Sequence, residues 1–228
     1  MGRECGVKIC GTTSVADAQL AAKHGADYFG VVVEVDFSPR SLSIDEARPL
    51  FIDPPIPAVA LVFNMKPERL QELITTLKPA AVQFLNLEDL AHIRELKKTY
   101  PDLEIWQSIH LPEAGQDVDL ERFKQTVRDY VDAGVDLLIF DTVAVLGGVT
   151  KFGGTGRVSD WHLVKQLIDQ SESKVPIWLA GGINPDNVAE AIRAVQPDGV
   201  DLCSGVEASP GVKDPDKVRR LIERAKKA

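Results

Sequence analysis

Cys10 closes the run Val7–Lys8–Ile9–Cys10 and is followed by Gly-Thr-Thr, while Asp141 closes the run Leu137–Leu138–Ile139–Phe140. A thiol and a carboxylate, each ending a short apolar run, are groups suited to moving protons. Two readings stand for Cys10. It is plain packing, since free cysteine is among the most buried residue types, or it is reactive, since a helix start just after it favours the thiolate. A thiol with the reference pKa of about 8.5 is only a few per cent ionised at neutral pH without such help. Asp141 is either a general acid/base or a cap bonded to nearby loop amides. Arg40, in Asp36-Phe37-Ser38-Pro39-Arg40-Ser41, could pair bidentately with a carboxylate or be an exposed loop arginine. Cys5 and Cys203 read as structural.

Glycines form a second set. "FGGTGR" (Phe152–Arg157), "AGGI" (Ala180–Ile183) and "CSGVE" (Cys203–Glu207) lie in the last third of the chain. Each could be an ordinary tight turn. Glycine also lets backbone approach a ligand and aim successive N–H groups at one oxyanion.

These residues need a frame, and the periodicity supplies one. Strands are expected at Val7–Cys10, Tyr28–Val33, Ala58–Val62, Ala81–Phe84, Glu104–Ile109, Leu137–Phe140, Ile177–Ala180 and Gly199–Cys203. Helices are expected between them at Ser14–His24, Ile44–Phe51, Pro67–Leu77, Leu87–Thr99, Leu120–Ala133, Trp161–Gln170, Asn187–Val195 and Asp214–Lys227. Ser14 with Asp17 suggests a capping box. Gly25 and Gly134 each sit past a helix and before a strand, as C-caps do. Eight β/α units without a linker-like stretch imply an α/β fold, a single (β/α)8 TIM barrel over residues 1–228. A doubly wound open sheet is the alternative. No Gly-x-Gly-x-x-Gly follows the first strand, which weighs against a dinucleotide-binding version of it.

A barrel does its chemistry at the C-terminal ends of its strands. Cys10 and Asp141 then share one mouth, and the glycine clusters follow strands six, seven and eight, where barrel phosphate sites are built. Among His24, His92, His110 and His162, which show no metal-ligand spacing, only His110 falls near that mouth.

The formal charge of −8, from 26 Lys and Arg against 34 Asp and Glu without a basic stripe, argues against nucleic acid or an anionic membrane as partner. Three cysteines with no CxxC form neither a disulfide framework nor a zinc signature. No signal-peptide pattern and no membrane-length apolar run is present, so a cytoplasmic protein is expected. The exposed helix faces carry no extra apolar stripe, leaving monomer and homodimer both open.

With these residues collected, the chain resembles the phosphoribosylanthranilate isomerase family of tryptophan biosynthesis. The matching pieces are "VKICG" (Val7–Gly11), "GAD" (Gly25–Asp27), "SPRSLSIDEA" (Ser38–Ala47), "AVQ" (Ala81–Gln83), "FDT" (Phe140–Thr142), "GGTGRVSDW" (Gly153–Trp161), "AGGINPDNV" (Ala180–Val188) and "DLCSGVEASPGVKD" (Asp201–Asp214). The resemblance implies Cys10 as general base, Asp141 as general acid and Arg40 as holder of the anthranilate carboxylate. It implies a phosphate site on the backbone around Gly154, Thr155, Gly156, Gly181, Gly182, Ser204 and Gly205. The implied reaction is an Amadori rearrangement of a small phosphorylated substrate, without cofactor or metal.

The chain departs from the family's pattern at Phe84, Leu85 and Asn86 after strand four, at Gln107 and Ser108 on strand five, at Ser41, and at Cys203, where serine is usual. Two other functions are therefore carried alongside: a paralogue acting on another phosphorylated aminosugar, and a phosphate-ligand-binding barrel without turnover.

Overall fold

Alternation of side chains along each strand decides this architecture, with one face turned to the helices and the other to the barrel axis. The computed structural model describes residues 4–111, 118–142, 144–146, 149–151 and 161–228. The strands are β1 (Gly6–Ile9), β2 (Tyr28–Val32), β3 (Ala58–Val62), β4 (Ala81–Phe84), β5 (Glu104–Leu111), β6 (Leu137–Thr142), β7 (Ile177–Ala180) and β8 (Gly199–Leu202). Each pairs in parallel with the next, and β8 pairs with β1 to close the barrel. The fold is the expected (β/α)8 barrel.

The helices are α1 (Val15–His24), α2 (Ile44–Phe51), α3 (Pro67–Leu77), α4 (Leu90–Thr99), α5 (Leu120–Ala133), α6 (Trp161–Ser171), α7 (Val188–Val195) and α8 (Pro215–Ala225). Each turns one apolar stripe onto the sheet. In α3 it is Leu70, Leu73, Ile74 and Leu77, at the spacing of one helix face. The outward strand residues, such as Val7, Ile9, Phe29 and Val31, complete this outer core.

Turn chemistry fixes the ends. Gly25 (φ 91°) and Gly134 (φ 101°) cap α1 and α5 in the left-handed region, as expected. The Ser14 hydroxyl accepts from the Asp17 N–H, but the Asp17 carboxylate reaches across to accept from the Lys213 N–H at 3.4 Å. The full reciprocal box occurs at α2, between Ser43 and Glu46.

β5 and β6 run two residues longer than the apolar periodicity suggested, and α4 starts at Leu90 because Asp89 caps it. Two short hairpins were not foreseen, Ala144–Leu146 with Val149–Lys151 and Glu207–Ser209 with Val212–Lys213. Runs of two or three residues carry too little alternation to read.

Inside the barrel the floor is aromatic. Tyr28, Trp106 and Trp178 meet at ring-centroid distances of 4.9 to 5.7 Å. Gly6 and Gly199 make room for this plug, because a Cβ at Gly199 would overlap the Trp178 ring. One layer above, Lys8 and Asp201 stand in register on β1 and β8, and Lys8 Nζ donates to Asp201 Oδ2 at 2.6 Å. The candidate site is built on that layer.

Candidate active site

Side chains two residues apart on a strand share a face. Above Lys8 and Asp201 that rule brings Cys10 and Cys203 to the same inner face at the barrel mouth. They line a cavity of about 580 Å³ together with Asp141, Arg40, Gly181, Gly182, Ser204 and Gly205. Cys10, at the end of β1, and Asp141, near the end of β6, thus face one space, and both are buried. Apolar walls come from Val32, Leu61, Phe63 and Leu85. Gly154, Thr155 and Gly156 lie outside the described residues.

The neighbours of Cys10 favour its thiolate. The Cys203 thiol beside it, whose Sγ also donates to Glu207 Oε1 at 3.9 Å, and the buried Lys8 and Lys213 ammonium groups favour the thiolate; together these outweigh burial and the Asp201 carboxylate, so the Cys10 pKa is lowered. Cys203 correspondingly holds its own proton well above the ordinary thiol range. Burial disfavours the Lys8 ammonium, but Asp201 more than offsets this and its pKa is raised. Glycine makes the crowding possible. A Cβ on Gly30 would stand 2.9 Å from Lys8 Cε and 3.3 Å from Cys10 Sγ. Cys203, which the sequence reads as structural, lines the cavity beside Cys10.

Arg40 is held rather than loose. Its Nε and Nη2 donate to Glu207 Oε1 and Oε2 at 2.8 and 2.6 Å, a bidentate pair with a buried carboxylate. Lys213 Nζ donates to Glu207 Oε1 at 3.0 Å and to the Cys10 carbonyl at 2.5 Å. Burial pushes the Glu207 pKa up, but Arg40 and Lys213 more than reverse this and keep it below the usual carboxylate value. Gly11, at φ 65°, permits this arrangement, because a Cβ there would lie 2.5 Å from Arg40 Cδ and 2.7 Å from Cys203 Sγ. Nothing in the sequence flagged Glu207 or Lys213. Their signal was an acidic and a basic residue in the otherwise apolar or small stretch Val206–Lys213, which the hairpin folds back over β1.

The glycines after β7 and β8 form a backbone rim on the cavity. Gly181 and Gly182 have φ of 92° and 67°, in the left-handed region. Gly205, in the middle of the short 3-10 turn Ser204–Val206, lies against the loop after β7 so closely that a Cβ would overlap the Ile183 carbonyl. Among the described residues, the N–H groups of Gly181, Gly182, Ser204 and Gly205 have no backbone acceptor. Such a rim suits an oxyanion.

The polar residues that depart from the family pattern on β4 and β5 are bonded to one another and to their neighbours Gln83 and Asn64. Gln83 Nε2 donates to Ser108 Oγ at 3.1 Å, and Gln107 Nε2 donates to the Asn86 carbonyl at 2.7 Å. Asn86 Oδ1 accepts from the Asn64 N–H, and Phe84 is buried in the outer core. Of the five departures, only Leu85 lines the cavity. His110 lies within β5, in register with Asp141, rather than in a loop. Burial lowers its pKa, and its Nε2 is 2.6 Å from the Leu85 carbonyl.

The model of the family described as N-(5'-phosphoribosyl)anthranilate (PRA) isomerase matches residues 7–224. The N-(5'-phosphoribosyl)anthranilate isomerase of Methanocella arvoryzae is 36% identical over 223 residues, which cover 96% of this chain and 97% of that one. The Methanosarcina acetivorans isomerase is 38% identical over 228 residues, covering 95% and 91%. Among solved structures, phosphoribosyl anthranilate isomerase from Thermotoga maritima superposes with a TM-score of 0.80 at 29% identity, covering 98% of this chain and 100% of that one. Another such isomerase structure, in complex with reduced 1-(o-carboxyphenylamino)-1-deoxyribulose 5-phosphate, gives a TM-score of 0.77 at 28% identity, with the same coverage.

Proposed function

Because the chain belongs to the N-(5'-phosphoribosyl)anthranilate isomerase family and has that isomerase function, we propose that Cys10 and Asp141 carry the reaction as general base and general acid. The reaction is the Amadori rearrangement of N-(5-phosphoribosyl)anthranilate to 1-(2-carboxyphenylamino)-1-deoxyribulose 5-phosphate, an intramolecular aldose–ketose change. Asp141 gives a proton to the furanose ring oxygen as the bond to C1 breaks, and the anilino nitrogen lone pair forms C1=N. The Cys10 thiolate then takes the proton from C2, and the electrons of that C–H bond form C1=C2 as the C1=N π pair returns to the nitrogen. Loss of the C2 hydroxyl proton and protonation at C1 deliver the ketone.

The observation that carries this reading is the placement of Cys10 and Asp141 on one cavity, at the ends of β1 and β6, with cations beside the thiol. The phosphate would sit on the rim of Gly181, Gly182, Ser204 and Gly205; Gly154, Thr155 and Gly156, outside the described residues, remain phosphate-binding candidates by the resemblance. Arg40, held by Glu207, would present its remaining N–H groups to the anthranilate carboxylate. Since only Leu85 of the β4 and β5 departures lines the cavity, those changes leave the substrate unaltered. The protein acts in the cytoplasm, as expected of a biosynthetic enzyme; no helix among the described residues is long and apolar enough to cross a membrane.

The test is a steady-state fluorescence assay of freshly generated substrate, corrected for spontaneous hydrolysis. Cys10→Ser and Asp141→Asn should each lower kcat by roughly 100-fold or more, with binding of the reduced product analogue retained. Near-parent kcat in either variant would remove that residue from the mechanism.

A further inference from the structure

Cys10 and Cys203 stand side by side, and this arrangement reaches beyond the isomerisation. Ile9 and Leu202 are register partners on β1 and β8, and the Cys10 N–H donates to the Leu202 carbonyl at 2.7 Å. Cys10 and Cys203 are the residues that next follow these partners on the two parallel strands. Adjacent strands lie about 4.8 Å apart, inside the Cα separation of about 4.4–6.8 Å that a disulfide spans. Both side chains point inward into the same cluster, and both line the cavity. Gly11 and Gly30, which lack a Cβ where one would press on Cys203 Sγ and Cys10 Sγ, leave the thiols room to meet. Cys5 is excluded from such pairing. It sits at the other end of β1, roughly 16 Å along the strand, and burial raises its pKa to about 11.

We propose that Cys10 and Cys203 are a redox modification site, which a small hydroperoxide entering the cavity converts to a reversible disulfide. The Cys10 thiolate attacks one peroxide oxygen, forming S–O and breaking O–O, and the leaving hydroxide takes up a proton as water. Cys203 sulfur then attacks the Cys10 sulfenic acid, forming S–S and breaking S–O, while its proton leaves with the hydroxyl as a second water. Two thiols are oxidised by two electrons and one hydroperoxide is reduced. The lowered pKa of Cys10, which favours its thiolate, supports the first step. The formation of the disulfide is independent of catalysis. Its consequence, loss of isomerase turnover, rests on the reading of Cys10 as base.

Hydrogen peroxide in slight excess over the purified full chain, followed by alkylation, digestion and mass spectrometry, tests the site. A Cys10–Cys203 linked peptide should form, thiol titration of the denatured protein should fall by two of the three cysteines, and dithiothreitol should restore thiols and turnover together. In Cys203→Ser and Cys203→Ala, Cys10 should instead be trapped by dimedone as the sulfenic acid, with no linked peptide. Dimedone-labelled Cys10 without linked peptide in the parent would overturn the proposal. A linked peptide with turnover intact would uphold the site and overturn the base role of Cys10.

Discussion

Proton transfer sits on single residues, and their neighbours set its pH range. Cys203, Lys8, Lys213 and Asp201 set the Cys10 ionisation, and Arg40 and Asp141 share its cavity. Because their balance lowers the Cys10 pKa, the acidic limb of kcat/KM, where the thiolate is lost as pH falls, should have its midpoint below that of an unperturbed thiol. Cys203→Ala removes the donor and should move that midpoint to higher pH, while Cys203→Ser, which keeps a donor, should largely restore it. An unmoved limb in Cys203→Ala would show that Cys203 does not tune the base. Glu207 is the second residue with a calculable effect. Its folded pKa lies below the reference of 4.5, so its contribution to stability is full above that pH and is lost as pH falls through the folded value. Glu207→Gln leaves Arg40 and Lys213 facing a neutral amide and should cost about 3 kcal/mol at neutral pH, read as a lower urea midpoint. At this scale the sequence was informative for Cys10, Asp141 and Arg40, which mark strand ends or a distinctive loop. It was silent on Glu207 and Lys213, and on the neighbourhood of Cys203 with Cys10. Their positions depend on which strands become neighbours, and no local pattern encodes that.

Elements act by putting backbone where a ligand needs it. The rim after β7 and β8 depends on Gly205 lying against the Ile183 carbonyl. Gly205→Ala should push the two loops apart and raise KM by roughly tenfold or more, with a smaller change in kcat and a urea midpoint lowered through the roughly 1–3 kcal/mol that overpacking costs. An unchanged KM would place the phosphate elsewhere. All eight strands and eight helices were legible because each buries an apolar stripe of the right period. Three strands and three helices have the bounds that periodicity gave: β3, β4 and β7, with α2, α3 and α5. What escaped was set by contacts instead of composition. β5 and β6 extend because they pair with each other through Leu111 and Thr142, and the Asp17 carboxylate abandons its own helix for Lys213.

The whole molecule is a layered cylinder, an aromatic floor below a buried ion pair below the reacting groups. Separation of floor from mouth predicts separable losses. Trp178→Ala should cost about 3–5 kcal/mol, lowering Tm by roughly 6–20 °C, yet leave kcat within a few-fold of the parent at temperatures where the barrel is folded. A large kcat loss in the folded variant would mean that the floor and the site are coupled. The (β/α)8 closure followed from counting units, but the floor did not. Tyr28, Trp106 and Trp178 look like unrelated aromatics until closure brings their three strands around one axis. The account stands or falls on the division of labour across the barrel mouth. Its most direct test is a single-turnover measurement with substrate deuterated at C2, in the parent, in Asp141→Asn and in Cys10→Ser. Cys10→Ser should be slow with a primary isotope effect on C2 proton removal. Asp141→Asn should be slow with that effect suppressed, because ring opening then limits the rate. Parent-like rates, or the opposite assignment of the isotope effect between the two variants, would contradict it.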